Sequence, residues 1–104
     1  MRLLIADDHP LIIDGLRAML HGLPDIEMLE PASNGRQLLD KLHRQKADVI
    51  ILDLNMPQMN GPATLKILKR DFPQVKAIVF TNYNHAALIQ EIIATGADGY
   101  LLKT

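Results

Sequence analysis

Three stretches of this chain are apolar without interruption: Leu3-Leu4-Ile5-Ala6, Val49-Ile50-Ile51-Leu52 and Ala77-Ile78-Val79-Phe80. A strand with one face in water alternates apolar and polar residues. An unbroken apolar run of strand length is instead buried on both faces, as in a parallel sheet covered by helices. Two weaker runs, Ile26 to Leu29 and Tyr100 to Leu102, bring the expected strand count to five. Between the runs, apolar residues recur at helical spacing. Leu11 or Ile12 with Leu16, Met19 and Leu20 form one stripe, closed at His21-Gly22. Leu38, Leu39 and Leu42 form a second, capped by Ser33 or Asn34. Thr64, Leu65 and Leu68 form a third, with Pro62 in its first turn, and Leu88, Ile89, Ile92 and Ile93 a fourth, opened by Asn84 and ended by Gly96. Strand and helix alternate throughout, which predicts a doubly wound α/β fold.

At 104 residues, 48% of them hydrophobic, the chain has material for one core. Eleven basic residues stand against 12 acidic ones, so there is no basic excess to track nucleic acid or an anionic membrane; DNA binding by this chain alone is not expected. There is no cysteine, which removes disulfides and thiolate metal sites, and no apolar run of bilayer length. A cytoplasmic location is the expectation. The sequence stops at Thr104, directly after the fifth strand. Four helices on five strands leave part of one sheet face thinly covered, so the chain is expected to be part of a longer protein, and alone to oligomerise or be marginally stable.

In open parallel sheets, function gathers beyond the carboxyl ends of the strands. Asp7-Asp8, Asp53 and Thr81 come just after the three clearest strands, and Lys103 ends the fifth. Each alone reads as a cap, a turn or a solvated end; together they put three carboxylates, a hydroxyl and an ammonium at one edge. Clustered carboxylates call for a cation, and an all-oxygen donor set favours Mg²⁺. With Lys103 and Thr81 nearby, the site suits a phosphoryl group, and Asp53 is the candidate nucleophile. The adjacent Asp7-Asp8 pair reads alternatively as a cap, with Asp8 on the first helix. His9, His21, His43 and His85 are too scattered in sequence to suggest a metal site.

The segments Ile5-Ala6-Asp7-Asp8-His9, Ile50 to Pro57 with Gly61, Phe80-Thr81, and Gly96 to Lys103 resemble, in order, the receiver domain of a two-component response regulator. Asp8 and Asp53 are 45 positions apart, Asp53 and Thr81 28, and Thr81 and Lys103 22. The wording around Asp7-Asp8-His9-Pro10 and Gly99 to Lys103 is most similar to LuxR/NarL-type receivers. The resemblance implies a flavodoxin-like, CheY-like sheet in strand order 2-1-3-4-5 with the final helix absent, residues 1–104 being one receiver domain. It implies that Asp53 takes a phosphoryl group from a sensor histidine kinase or phosphotransfer protein. Mg²⁺, or Mn²⁺ in its place, would be held by Asp8, Asp53 and the backbone carbonyl of Asn55, with Asp7 acting through water. Lys103 would pair with Asp53 and then the phosphate, Thr81 would bond a phosphate oxygen, and Tyr100 would be the switch aromatic. Such a domain is no enzyme beyond self-catalysed transfer to its own aspartate and slow dephosphorylation. It would control an output, transcription through a helix-turn-helix DNA-binding domain outside this chain, with a homodimer as a further partner and no membrane. Two rivals are a phosphorylation-independent pseudo-receiver that acts as a dimerisation or docking module, and an aspartyl phosphatase. The phosphatase would place its nucleophile after the first strand, with a second Asp two positions on, which Asp7-Asp8-His9-Pro10 does not match.

Overall fold

A computed structural model describes residues 1–54, 61–81 and 86–102. Five strands, β1 (Arg2–Ala6), β2 (Glu27–Met28), β3 (Val49–Asp53), β4 (Lys76–Thr81) and β5 (Gly99–Leu102), alternate with four helices, α1 (Pro10–Leu20), α2 (Gly35–Arg44), α3 (Gly61–Asp71) and α4 (Ala86–Thr95). All strand pairs are parallel, and the order is β2-β1-β3-β4-β5. The expected fold class and strand order are observed. β2 is only two residues long, shorter than the Ile26 to Leu29 run suggested.

The two sheet faces are covered unequally. Leu4, Ala6, Ile50, Leu52, Ala77 and Val79 point to one face and meet Leu38 and Leu42 of α2, Leu65 and Leu68 of α3 and Ile92 of α4. Leu3, Ile5 and Ile51 point to the other, where Ile13, Leu16 and Leu20 of α1 pack. No residue of α1 is fully buried. The expected stripe on α1 needs correction: Leu11 and Met19 are 86% and 77% exposed, and Ile13 takes the core-facing position. An apolar helix offers more than one stripe that fits a 3.6-residue period, and packing selects among them. At the β5 edge, Tyr100, Leu101 and Leu102 are all exposed among the described residues.

Local chemistry sets the helix ends. Asn34 caps α2 by accepting the Gln37 N–H at 2.9 Å, and the Gln37 side chain returns to the Ser33 N–H at 2.9 Å, a reciprocal cap. α4 ends in a Schellman arrangement, with the Gly96 N–H donating to Ile93 and the Ala97 N–H to Ile92, and Gly96 at φ +118°. Asn84, the expected start of that helix, lies outside the described residues. At the head of α3, Gly61 is buried against Leu54 so closely that a Cβ would collide with the leucine side chain.

Candidate metal and phosphoryl-acceptor site

β1 and β3 are adjacent and in register, Ala6 opposite Leu52, so the residues that follow emerge side by side. Asp7 is held there by its backbone: its N–H donates to the Ala32 carbonyl at 2.9 Å, and the Ala32 N–H to Ile5 at 2.9 Å. Asp53 is the last residue of β3 and lies opposite Phe80 of β4. Asp7 and Asp53 are each 1% exposed, and Asp8 is half-buried. Ligand atoms from Asp7, Asp8, Asp53 and His9 all lie within 4.8 Å of one another. The three acids expected at one edge are therefore together. Thr81 ends β4, fully buried, at the same rim, and Tyr100 lies on β5 with 38% of its surface exposed. Lys103 and Asn55 lie outside the described residues.

The turn into α1 differs from expectation in two ways. Asp8 does not cap α1; His9 occupies the cap position with no side-chain bond to the helix, and Pro10 opens the first turn. Asp7 Oδ1 instead accepts the His9 N–H at 2.9 Å, a two-residue aspartate turn. That turn brings His9, which its spacing from the other histidines left without a role, into the site. Its Nδ1 is 2.8 Å from Asp7 Oδ1, 3.1 Å from Asp8 Oδ1 and 3.4 Å from Asp53 Oδ2. The signal was in the sequence: an Asp two positions before a His can fold its carboxylate back onto that residue's N–H. His43, by contrast, lies away from this cluster and makes an edge contact with Phe72, ring centroids 5.2 Å apart.

Burial pushes the Asp7 carboxyl above its ordinary value; the bonds from His9 pull it back down, and the neighbouring Asp53 pushes it up again. Asp7 Oδ2 is buried with no hydrogen-bond donor among the described residues. A buried acid with an oxygen lacking a donor, beside two further acids, is short of positive charge. A hard divalent cation with oxygen ligands meets that need, so the residues fit Mg²⁺.

A family model for the response regulator receiver domain matches residues 3–104. The nitrate/nitrite response regulator NarL of Escherichia coli K12 is 40% identical over 101 residues, covering 97% of this chain and 47% of NarL. The transcriptional regulatory protein LnrK of Bacillus subtilis is 31% identical over 103 residues, 99% of this chain and 47% of LnrK. The chain thus spans about half the length of these relatives. Among solved structures, the isolated receiver domain of RcsB from Salmonella enterica serovar Typhimurium, in the presence of the phosphomimetic BeF₃⁻, superposes with a TM-score of 0.93 at 31% identity, covering 99% of this chain and 77% of that one. Full agreement in strand order, the acidic rim at the ends of β1 and β3, and a match that runs nearly end to end have one explanation: this chain belongs to the response regulator receiver domain family, in its LuxR/NarL branch.

Proposed function

We propose that residues 1–104 form the receiver part of a longer cytoplasmic response regulator. In it Asp53 accepts a phosphoryl group from a phosphohistidine of a sensor kinase or phosphotransfer protein, and the modified state governs a DNA-binding output domain outside this chain. One observation carries the reading: a carboxylate at the end of the central strand is 1% exposed and sits against two other carboxylates. Burying like charges together costs stability and serves no packing purpose, so the cluster is there for chemistry.

When bound, Mg²⁺, or Mn²⁺ in its place, supplies positive charge to these carboxylates and to the transferring phosphoryl oxygens. Asp8, Asp53 and the backbone carbonyl of Asn55 would hold it directly, and Asp7 through a water. An Asp53 oxygen forms the new O–P bond while the P–N bond to the donor imidazole breaks, and that imidazole takes up a proton. The low exposure of Asp53 limits access of bulk water to the acyl phosphate, which favours slow loss of the group. Thr81 contributes a hydroxyl and Lys103 an ammonium to the phosphoryl oxygens. The dianion gives these groups new contacts and so biases β4 and β5, with Tyr100 as the aromatic that responds. The exposed apolar residues of α4 and β5, Ile93 and Tyr100 to Leu102, are the surface this reading assigns to coupling, with a second copy or with the output domain.

Incubation with a small-molecule phosphodonor and Mg²⁺ is the test. One phosphoryl mass is expected on Asp53, absent in Asp53→Asn and absent with a chelator. No modification, or one that persists in Asp53→Asn, overturns the reading and leaves the phosphorylation-independent pseudo-receiver.

A further inference from the structure

Among the described residues of the acidic cluster, His9 alone offers a nitrogen ligand rather than an oxygen. Its Nδ1 faces oxygens of three different carboxylates at 2.8, 3.1 and 3.4 Å. Around an ion held at about 2.1 Å, adjacent ligand atoms stand roughly 3.0–3.4 Å apart and opposite ones roughly 4.2 Å apart. The observed separations, none above 4.8 Å, are those of a ligand shell needing shifts of only a few tenths of an ångström. Independent of the clustering, Asp7 is 1% exposed and its Oδ2 has no donor among the described residues. The ring is also placed in advance. Asp7 Oδ1 accepts the His9 N–H, and Pro10 fixes the chain immediately afterwards at the start of α1, so little side-chain freedom is lost on ligation. Half of the His9 side chain is exposed, which gives an ion a way in.

An imidazole nitrogen alters which ion such a site prefers. Mg²⁺ takes oxygen ligands and keeps several waters, whereas Co²⁺, Ni²⁺ and Zn²⁺ bind imidazole well and gain from each nitrogen supplied. We propose that His9 is a further metal-ligating side chain of this cluster, binding through Nδ1 and shifting the preference of the site toward imidazole-binding divalent ions such as Co²⁺ and Zn²⁺. On ligation the ring carries its proton on Nε2, leaving the Nδ1 lone pair for the ion. This rests on the reading that the carboxylates hold a divalent cation; it does not require that Asp53 be phosphorylated.

The full chain, without phosphodonor, is titrated separately with Co²⁺, followed by its visible absorption, and with Mg²⁺, followed by calorimetry, for the native sequence, His9→Ala and Asp8→Asn. The ratio of Co²⁺ to Mg²⁺ affinity is expected to fall about tenfold or more in His9→Ala, with the Co²⁺ bands moving to those of an all-oxygen shell. In the unmodified chain, Zn²⁺ is expected to shift the ¹⁵N resonance of His9 Nδ1, a readout that does not depend on a folded variant. An unchanged affinity ratio and Co²⁺ spectrum in His9→Ala, or a His9 Nδ1 resonance indifferent to Zn²⁺, overturns the proposal while leaving the carboxylate site intact. Absence of both Mg²⁺ and Co²⁺ binding in the native chain, or Mg²⁺ binding untouched by Asp8→Asn, sinks the carboxylate reading itself.

Discussion

The two rims of the sheet treat the same side chain in opposite ways. At the amino-terminal rim, Asp98 accepts the Ala77 N–H at 2.9 Å and a bond from Lys69 Nζ at 3.0 Å, and Lys69 also donates to the Val75 carbonyl. Asp48, at the same rim, accepts the Arg2 N–H at 2.7 Å. These acids are supplied with donors and tie α3, β4 and the start of β5 together. At the carboxyl-terminal rim, Asp7 is more deeply buried, keeps an oxygen without a donor among the described residues, and faces other acids. The consequence shows in their acidity: the Ala77 N–H and Lys69 hold the Asp98 carboxyl below the ordinary carboxylate value, and burial pushes that of Asp7 above it. One rim spends its carboxylates on stability, and the other holds them ready for a ligand.

Substitutions at the two rims should therefore diverge. The largest effect is on chemistry: Asp53→Asn is expected to abolish phosphoryl incorporation while leaving the chain folded, as read by intact mass and circular dichroism. Next, Asp98→Ala removes two charge-assisted bonds and is expected to cost about 1–2 kcal/mol in urea unfolding at pH 7, the figure being lowered for partial exposure. Gly96→Ala should cost about 1 kcal/mol or more, because φ +118° disfavours a side chain and the added Cβ would stand 2.9 Å from Cγ of the anchored Lys69. Asp7→Asn goes the other way. It is expected to raise stability by about 1 kcal/mol in divalent-free buffer, since a buried like charge is removed.

The pH dependence should separate the rims as well. Asp98 ionises more readily when folded, so its stabilisation is present above about pH 4 and is lost as pH falls through its depressed folded value. Asp7 ionises less readily when folded. Its penalty is absent below about pH 4 and grows as pH rises toward its elevated folded value. Asp98→Asn should flatten the acid limb of the stability profile, and Asp7→Asn should flatten the stretch above about pH 4 in divalent-free buffer.

Most of the architecture was legible because burial on both faces leaves an unbroken apolar run, as in Leu3 to Ala6 and Val49 to Leu52, and because strand-end acids are visible by position. The path of α1 was less so. Leu11 and Met19 are as apolar as Ile13 and Leu16, and only the position of the sheet decides which of them face it. Histidine-to-histidine spacing does not announce His9, because its placement comes from a local turn closed by Asp7. The Lys69–Asp98 tie joins residues 29 positions apart on separate elements, a pairing that no local pattern announces.

Equilibrium unfolding with and without Mg²⁺ tests most directly the idea that the acid-rich rim is built around a cation. At a concentration 100-fold above its dissociation constant, Mg²⁺ is expected to stabilise the native chain by about 2.7 kcal/mol. Asp7→Asn should begin above the native chain and gain markedly less. A native chain whose unfolding is the same in millimolar Mg²⁺ as in chelator would contradict it.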